Sequence, residues 1–246
     1  MTDAVAPPRL LLISNSTQHG RGYLDHAEAE IREFLGAARR ILFFPFALFD
    51  RRAYAARARA RFSEMGYSLE PAGEPAGTAR ADVESAEGFF IGGGNTFRLL
   101  KSLQSMDLVG PIRERVADGV PFIGSSAGSI VAGPTLSTTK DMPIVEPRSF
   151  AALHLIDFQI SPHYLDPDPS STHMGETQEE RIQQFHEENA TPVVGLREGA
   201  MLRVEGARVE LRGSTGARLF RRGREAVERR PICRVDDVLS ESSAAS

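Results

Sequence analysis

Ser126 lies in the segment Gly124-Ser125-Ser126-Ala127-Gly128, which has the form Gly-x-Ser-x-Gly. A serine hydroxyl becomes a nucleophile when a sharp turn presents it and a neighbouring base takes its proton. The flanks suit such a turn. Val120-Pro-Phe-Ile123 is a short apolar run, and Gly128-Ser-Ile-Val-Ala132 reads as a helix closed by Gly133-Pro134. Five residues with three fixed recur by chance, so the strand, turn and helix around the motif add most of its weight. In that setting the Ala127 N–H, at a helix N-terminus, points at a developing oxyanion. Ser125 occupies the variable position and reads as a bystander.

A second segment supplies a partner for that oxyanion. Gly92-Gly-Gly-Asn-Thr-Phe97 follows the apolar run Gly88-Phe-Phe-Ile91 and opens another helix. Glycines let the backbone approach a substrate closely. The run lacks the Gly-Lys-Ser/Thr ending of a phosphate-binding loop and does not match Gly-x-Gly-x-x-Gly. It reads either as a tight strand–helix turn or as an oxyanion donor, and the donor expected is the Gly94 N–H. Two backbone donors at one oxygen suit a tetrahedral acyl intermediate.

The base must be one of six histidines: His19, His26, His154, His163, His173 or His186. His26 and His186 fall on expected helices and read as surface residues. His19 and His173 fall in polar loops, and His154 starts an apolar stretch. His163 follows the expected strand Ile156-Asp-Phe-Gln-Ile160 through Ser161-Pro162, just past a strand end. It is the residue expected to meet Ser126. Two acids can orient its imidazole and stabilise the imidazolium. Glu198 follows the apolar run Val193-Val-Gly-Leu196, and Asp141 lies in the polar loop Thr138-Thr-Lys-Asp-Met-Pro143. Glu198 is preferred because strand ends converge where the serine sits, and Asp141 stays open. No His-Glu-x-x-His motif occurs, and the single cysteine, Cys233, allows neither an internal disulfide nor a cysteine-based zinc site.

These residues need a frame of strands and helices. Leu10–Ile13, Ile41–Phe44, Glu87–Ile91 and Val120–Ile123 read as strands, being short, apolar and stopped by polar residues, glycine or proline. Between them lie stretches with helical spacing: Leu24, Ala27, Ile31, Phe34 and Leu35; the Ala- and Arg-rich Ala53–Met65, ended by Gly66; Phe97, Leu100 and Leu103 behind a capping Asn95; and Val109, Ile112 and Val116. Alternating elements with continuously apolar strands predict a doubly wound, mostly parallel α/β sheet covered on both faces. Three later runs, Met201–Gly206, Ala207–Leu211 and Ala217–Phe220, predict an antiparallel meander attached to that sheet. One domain is expected over residues 9–239, with disordered tails at 1–8 and 240–246.

Bulk properties narrow the function. Of 246 residues, 41% are hydrophobic and 25% charged, with a formal net charge of -4 and no basic patch, so nucleic acid is not expected as a partner. No apolar run approaches the roughly 20 residues that span a bilayer, and Met1–Pro8 lacks a signal-peptide core. The expectation is a cytoplasmic protein without membrane partners.

With these residues in place, the chain resembles the peptidase E (aspartyl dipeptidase) family of serine peptidases over about Arg9–Phe220. The likeness is carried by Leu11-Leu-Ile-Ser-Asn-Ser-Thr17, Gly92-Gly-Gly-Asn-Thr-Phe97, Gly124-x-Ser-Ala-Gly128, Asp141-Met-Pro-Ile-Val145, Pro162-His163, and Gly175-Glu-Thr177 with Arg181. The resemblance implies a fold related to class I glutamine amidotransferases and cleavage of Asp-Xaa dipeptides without metal or cofactor. It implies that Ser126 is the nucleophile and His163 the base. It implies Glu198 or Asp141 as the third member, Glu198 first, with Gly94 and Ala127 as oxyanion donors. Three positions depart from the family pattern. Ser125 stands where the family often has Trp, Ala200 where it has a larger polar residue, and Gln178 where it has an arginine that binds the substrate aspartate. An amide hydrogen-bonds a carboxylate without a charge, about half as strongly as a charge-assisted bond. Arg148, Arg181 and Arg197 are the candidates for the missing charge.

The expectation is therefore a serine dipeptidase acting on small peptides, monomeric or homodimeric. Two rival readings accompany it: a serine exopeptidase or amidohydrolase of altered specificity, motivated by Gln178, and a non-catalytic small-molecule-binding module on the same scaffold.

Overall fold

The computed structural model describes residues 7–73, 77–172 and 174–239. The expected tails lie outside these residues except for Pro7 and Pro8, and so does His173.

In chain order the elements are β1 (Arg9–Ile13), a 3-10 turn (Asp25–Ala27), α1 (Glu28–Leu35), β2 (Arg40–Phe44), α2 (Arg51–Glu64), β3 (Ser68–Pro71), α3 (Ala79–Ser85), β4 (Gly88–Ile91), α4 (Thr96–Ser105), α5 (Val109–Ala117), β5 (Phe122–Ser125) and α6 (Ala127–Ala132). They continue with β6 (Gln159–Pro162), α7 (Gln178–Glu188), β7 (Val193–Leu196), β8 (Ala200–Glu205), β9 (Arg208–Gly213), β10 (Ala217–Phe220), β11 (Val227–Arg229), β12 (Cys233–Arg234) and α8 (Asp236–Leu239).

Eight strands form one sheet in the order β12-β9-β8-β1-β5-β4-β2-β3. Its five strands from β1 to β3 pair parallel, and β8, β9 and β12 extend it antiparallel beyond β1. This is the doubly wound α/β sheet that the alternating pattern predicts. Successive side chains of a strand go to opposite faces, so a strand buried on both sides must be apolar throughout. On β1, Leu10 and Leu12 join the core with α4, α5 and α6, through Leu100, Ile112 and Val131. Leu11 and Ile13 join the opposite core with α1 and α2, through Ile31, Phe34 and Phe62. There Phe43 stacks on Phe90 with ring centroids 5.1 Å apart. Each fully buried Phe contributes about 1.5–3 kcal/mol.

Several boundaries differ from expectation. The strand β3 and helix α3 are not legible in the sequence, because Ser-Leu-Glu-Pro is a half-exposed edge strand without an apolar run. The strand expected over Ile156–Ile160 begins three residues later. Ile156 and Phe158 are buried against the core, but ladder pairing starts only at Gln159 opposite Val193. The meander divides. Its first two strands, β8 and β9, extend the main sheet, whereas β10 leaves it. β10 pairs antiparallel with β7 in a separate four-stranded sheet ordered β11-β10-β7-β6, where β6 and β7 run parallel. Helix α6 touches β4 and β5 of the first sheet and β6 of the second.

Candidate active site

Ser126 stands between β5 and α6, at the N-cap of the helix, in a turn that most side chains avoid, with φ 52° and ψ -109°. A non-glycine residue holds such a conformation when its surroundings impose it. Here the Ser126 N–H donates to the Ile13 carbonyl at 2.9 Å, and the Ser126 carbonyl accepts from Ser129 and Ile130 N–H. The motif's last glycine is required by close approach, since a Cβ on Gly128 would run into the Ile91 carbonyl. Gly124-Ser-Ser-Ala-Gly128 thus builds the strand–turn–helix that its spacing suggests.

The glycine run passes opposite this turn. A Cβ built on Gly93 would sit 3.1 Å from the Ser126 Cβ. Gly94 adopts φ 131° and fits tightly against the Ala47 carbonyl, which leaves no room for a side chain. Asn95 caps α4, its side chain accepting from the Arg98 N–H at 3.0 Å.

His163 follows β6 and Glu198 follows β7, so both come from the second sheet. The His163 Nε2 lies 2.9 Å from the Ser126 Oγ, and its Nδ1 lies 2.6 Å from the Glu198 Oε1. With the ring proton on Nδ1 donated to the carboxylate, Nε2 is the acceptor for the serine hydroxyl. The imidazole and carboxylate side chains are 40% and 51% exposed, so substrate and water can reach them. Three side chains far apart in sequence therefore form one chain of hydrogen bonds.

Asp141 is placed elsewhere. Its Oδ2 accepts from the Thr96 N–H at 2.7 Å, the Thr96 hydroxyl at 2.6 Å and the Thr139 hydroxyl at 3.1 Å. It fastens its loop to the first turn of α4. Gln178 opens α7 behind the capping box of Thr177 and Glu180. Its amide faces main chain: Nε2 donates to the His163 carbonyl at 3.1 Å, and Oε1 accepts from the Leu165 N–H at 3.2 Å.

The candidate cations separate likewise. Arg148 pairs with Asp107 at 2.8 Å. Arg197 pairs with both Asp166 and Glu228, and its hydrogen bonds hold the Asp166 carboxyl below the usual range. Among the described residues, Arg181 pairs with Glu176 alone, at 3.7 Å. It lines a cavity of about 80 Å³ with Lys140, Thr138, Ser161 and Gln178. The Lys140 Nζ donates to the Pro162 carbonyl at 2.7 Å and to the His163 carbonyl at 3.2 Å. Desolvation lowers its pKa to about 8, with Arg181 pushing the same way and Asp141 and Glu198 opposing.

Of the other histidines, His154 contacts Asp157 at 3.1 Å and His186 is buried against the Thr191 carbonyl. His26 is half-buried, and desolvation lowers its pKa. Among the described residues no group of three or more His, Cys, Asp or Glu side chains is arranged to hold a metal ion.

Lys140, Ser14 and Asn15 also border these residues, though their types and spacing alone assign them no role. The Ser14 hydroxyl donates to the Leu196 carbonyl at 2.7 Å and accepts from the His163 N–H at 2.9 Å. Asn15 accepts from the Gly199 N–H at 2.8 Å. The signal was a polar pair directly after an apolar strand, at the sheet edge where sites form.

Known proteins resemble the chain throughout. The sequence model of Peptidase family S51 matches residues 10–212. A peptidase E of Streptomyces coelicolor is 53% identical over 214 residues, 87% of this chain and 88% of the relative. A probable alpha-aspartyl dipeptidase of Drosophila melanogaster is 44% identical over 215 residues, 86% and 89% of the two chains. Among solved structures, a putative peptidase E of Listeria monocytogenes superposes with a TM-score of 0.65 at 22% identity, covering 85% of this chain and 99% of the other. A peptidase from an acI-B1 Actinobacterium gives 0.64 at 15% identity, covering 91% and 98%. At these identities the two structures speak for the fold alone. No described helix is long and apolar enough to cross a membrane.

Proposed function

Since the chain belongs to Peptidase family S51 and is a serine peptidase, we propose that it hydrolyses dipeptides with an N-terminal aspartate through Ser126, His163 and Glu198. The observation that carries this reading is the continuous hydrogen-bond chain from the Ser126 Oγ through the His163 ring to the Glu198 carboxylate.

His163 takes the hydroxyl proton at Nε2 as Ser126 Oγ attacks the carbonyl carbon of the substrate's first residue. The Glu198 carboxylate holds the tautomer and stabilises the imidazolium. The oxyanion is received by the N–H groups of Gly94 and Ala127, each removal of such a donor costing about 10²–10³ in kcat in comparable sites. Protonated His163 passes its proton to the leaving amine, and water cleaves the acyl-enzyme by the same path. Neither metal nor cofactor enters these steps.

The substrate is supported by the relative named as a probable alpha-aspartyl dipeptidase. A second reading, a serine exopeptidase of altered specificity, is favoured by Gln178, whose amide is committed to the main chain of His163 and Leu165. Under the aspartyl reading the substrate carboxylate needs a cation, and Lys140 and Arg181 are the two that line the cavity beside the His163 carbonyl. A dipeptide panel comparing Asp-Leu with Glu-Leu, Asn-Leu, Ala-Leu and Leu-Leu decides. A preference of at least tenfold in kcat/KM for Asp-Leu is expected. Equal or faster cleavage of Ala-Leu would reject the aspartyl specificity while leaving the peptidase intact.

A further inference from the structure

We propose that Ser14 and Asn15 are positioning residues that set the distance between the nucleophile on one sheet and its base and acid on the other. The inference rests on the reading that Ser126, His163 and Glu198 act together.

The end of β1 touches all three parts of that machinery. The Ile13 carbonyl accepts from the Ser126 N–H at 2.9 Å and from the Ser129 hydroxyl at 2.8 Å. The next residue, Ser14, is fully buried and uses its one hydroxyl twice. It accepts from the backbone N–H of His163 and donates to the carbonyl of Leu196, the last residue of β7. Its own N–H donates to the Ala200 carbonyl at 3.1 Å. Asn15, 1% exposed, accepts from the N–H of Gly199, the neighbour of Glu198, and donates to the Thr17 carbonyl at 2.9 Å. Three consecutive residues thus hold the backbone of the nucleophile, the base and the segment bearing the acid.

A buried hydroxyl commonly bonds the nearest carbonyl merely to be satisfied. Ser14 does more, because both of its bonds reach the other sheet, at sequence separations of 149 and 182 residues. What it holds also needs holding. His163 sits at φ 52°, a backbone conformation that a non-glycine residue keeps only under constraint. The constraint is complete: Ser14 fixes its N–H, while Gln178 and Lys140 fix its carbonyl. Without the Ser14 hydroxyl the His163 N–H loses its partner and the segment relaxes, carrying the ring away from the Ser126 Oγ. A shift of about 1 Å in a reacting group costs on the order of 10²-fold in rate.

The test uses the full chain with Asp-Leu as substrate and Ser126→Ala as the inactive reference. Ser14→Ala is expected to lose about 100-fold in kcat with KM within about threefold, while unfolding stays cooperative. Phosphonylation of Ser126 by a fluorophosphonate probe should slow in parallel. The downfield proton resonance of the His163 Nδ1–H, present when the ring is docked on Glu198, should broaden or vanish. A folded Ser14→Ala enzyme with kcat within threefold of wild type overturns the proposal, as does a large loss with that resonance unchanged. Should Ser14→Ala fail to fold, Asn15→Ala carries the test: a loss of about tenfold in kcat supports the clamp, and kcat within twofold rejects it. Activity retained by Ser126→Ala overturns the underlying assignment instead, a result separable from any of these.

Discussion

The two sheets contribute to the site by different means. The eight-stranded sheet supplies the proposed nucleophile from a turn whose geometry is local. Gly124 to Gly128 and the helix behind them hold Ser126 at a strained angle within a core packed on both faces. The four-stranded sheet supplies His163 and Glu198 from segments just past β6 and β7, half exposed. The main chain of His163 and of Gly199, beside Glu198, is hydrogen-bonded by side chains from elsewhere: Ser14, Lys140 and Gln178 at the first, Asn15 at the second. A strand–turn–helix carries its own geometry, whereas a loop on a second sheet must borrow its geometry through long-range hydrogen bonds. Removing a reacting side chain of either sheet should therefore abolish the chemistry, and removing a support of the second sheet's part should misalign it.

The largest effect tests whether the two parts act as one unit. Ser126→Ala and His163→Ala should each lower kcat by about 10⁴-fold or more, and the double variant should be little worse than either, since residues acting together are grossly non-additive. Multiplicative losses would mean that the sheets contribute independently. Steady-state kinetics on Asp-Leu with an unchanged circular dichroism spectrum provides the measurement.

Next in size is the comparison of the two acids. Glu198→Gln should cost on the order of 10³-fold in kcat, because the amide offers Nδ1 no charge. Asp141→Asn should cost less than about tenfold in activity, but about 1 kcal/mol in stability through its bonds to the first turn of α4. Kinetics and urea denaturation on the two variants separate the roles. A greater activity loss in Asp141→Asn would reverse them.

The smallest effect is electrostatic and confined to the second sheet's support. Lys140 titrates near 8 in the folded chain, below its ordinary 10.5, because its ammonium is desolvated. A folded-state pKa below the unfolded one means that the unfolded chain binds more protons between those values, so stability rises with pH there. The charged ammonium penalises the fold below pH 8, and the penalty fades toward pH 10.5. Wild type minus Lys140→Met stability should therefore grow by roughly 1 kcal/mol from pH 7.5 to 10, discounted for the stem's exposure. Urea midpoints across that range measure it, and a flat difference would place the ammonium in water.

Legibility follows the same division. β1, β2, β4 and β5 are readable because strands covered on both faces are apolar at every position, as Leu10–Ile13 and Gly88–Ile91 are, and α1, α2, α4 and α5 show helical spacing. β3 was hidden by its edge position, and β6 was displaced because Ile156 and Phe158 are apolar for core contact rather than pairing. β10 read as a continuation of the meander, since alternation shows that a segment is a strand without showing which sheet it joins.

By itself the sequence determined the elbow at Ser126, the glycine run before α4 and the strand ends after which His163 and Glu198 would fall. Each follows from interactions between residues close in the chain, so short spacing encodes it. Tertiary structure decided the rest. It set His163 on Ser126 and Glu198 on His163 from a second sheet, and it turned Asp141 to Thr96 and Gln178 to the main chain. Those contacts join residues 15 to 45 apart in the chain, and the Ser14 bonds behind them span 149 and 182 residues. No local pattern records which distant carbonyl or N–H a buried hydroxyl will meet.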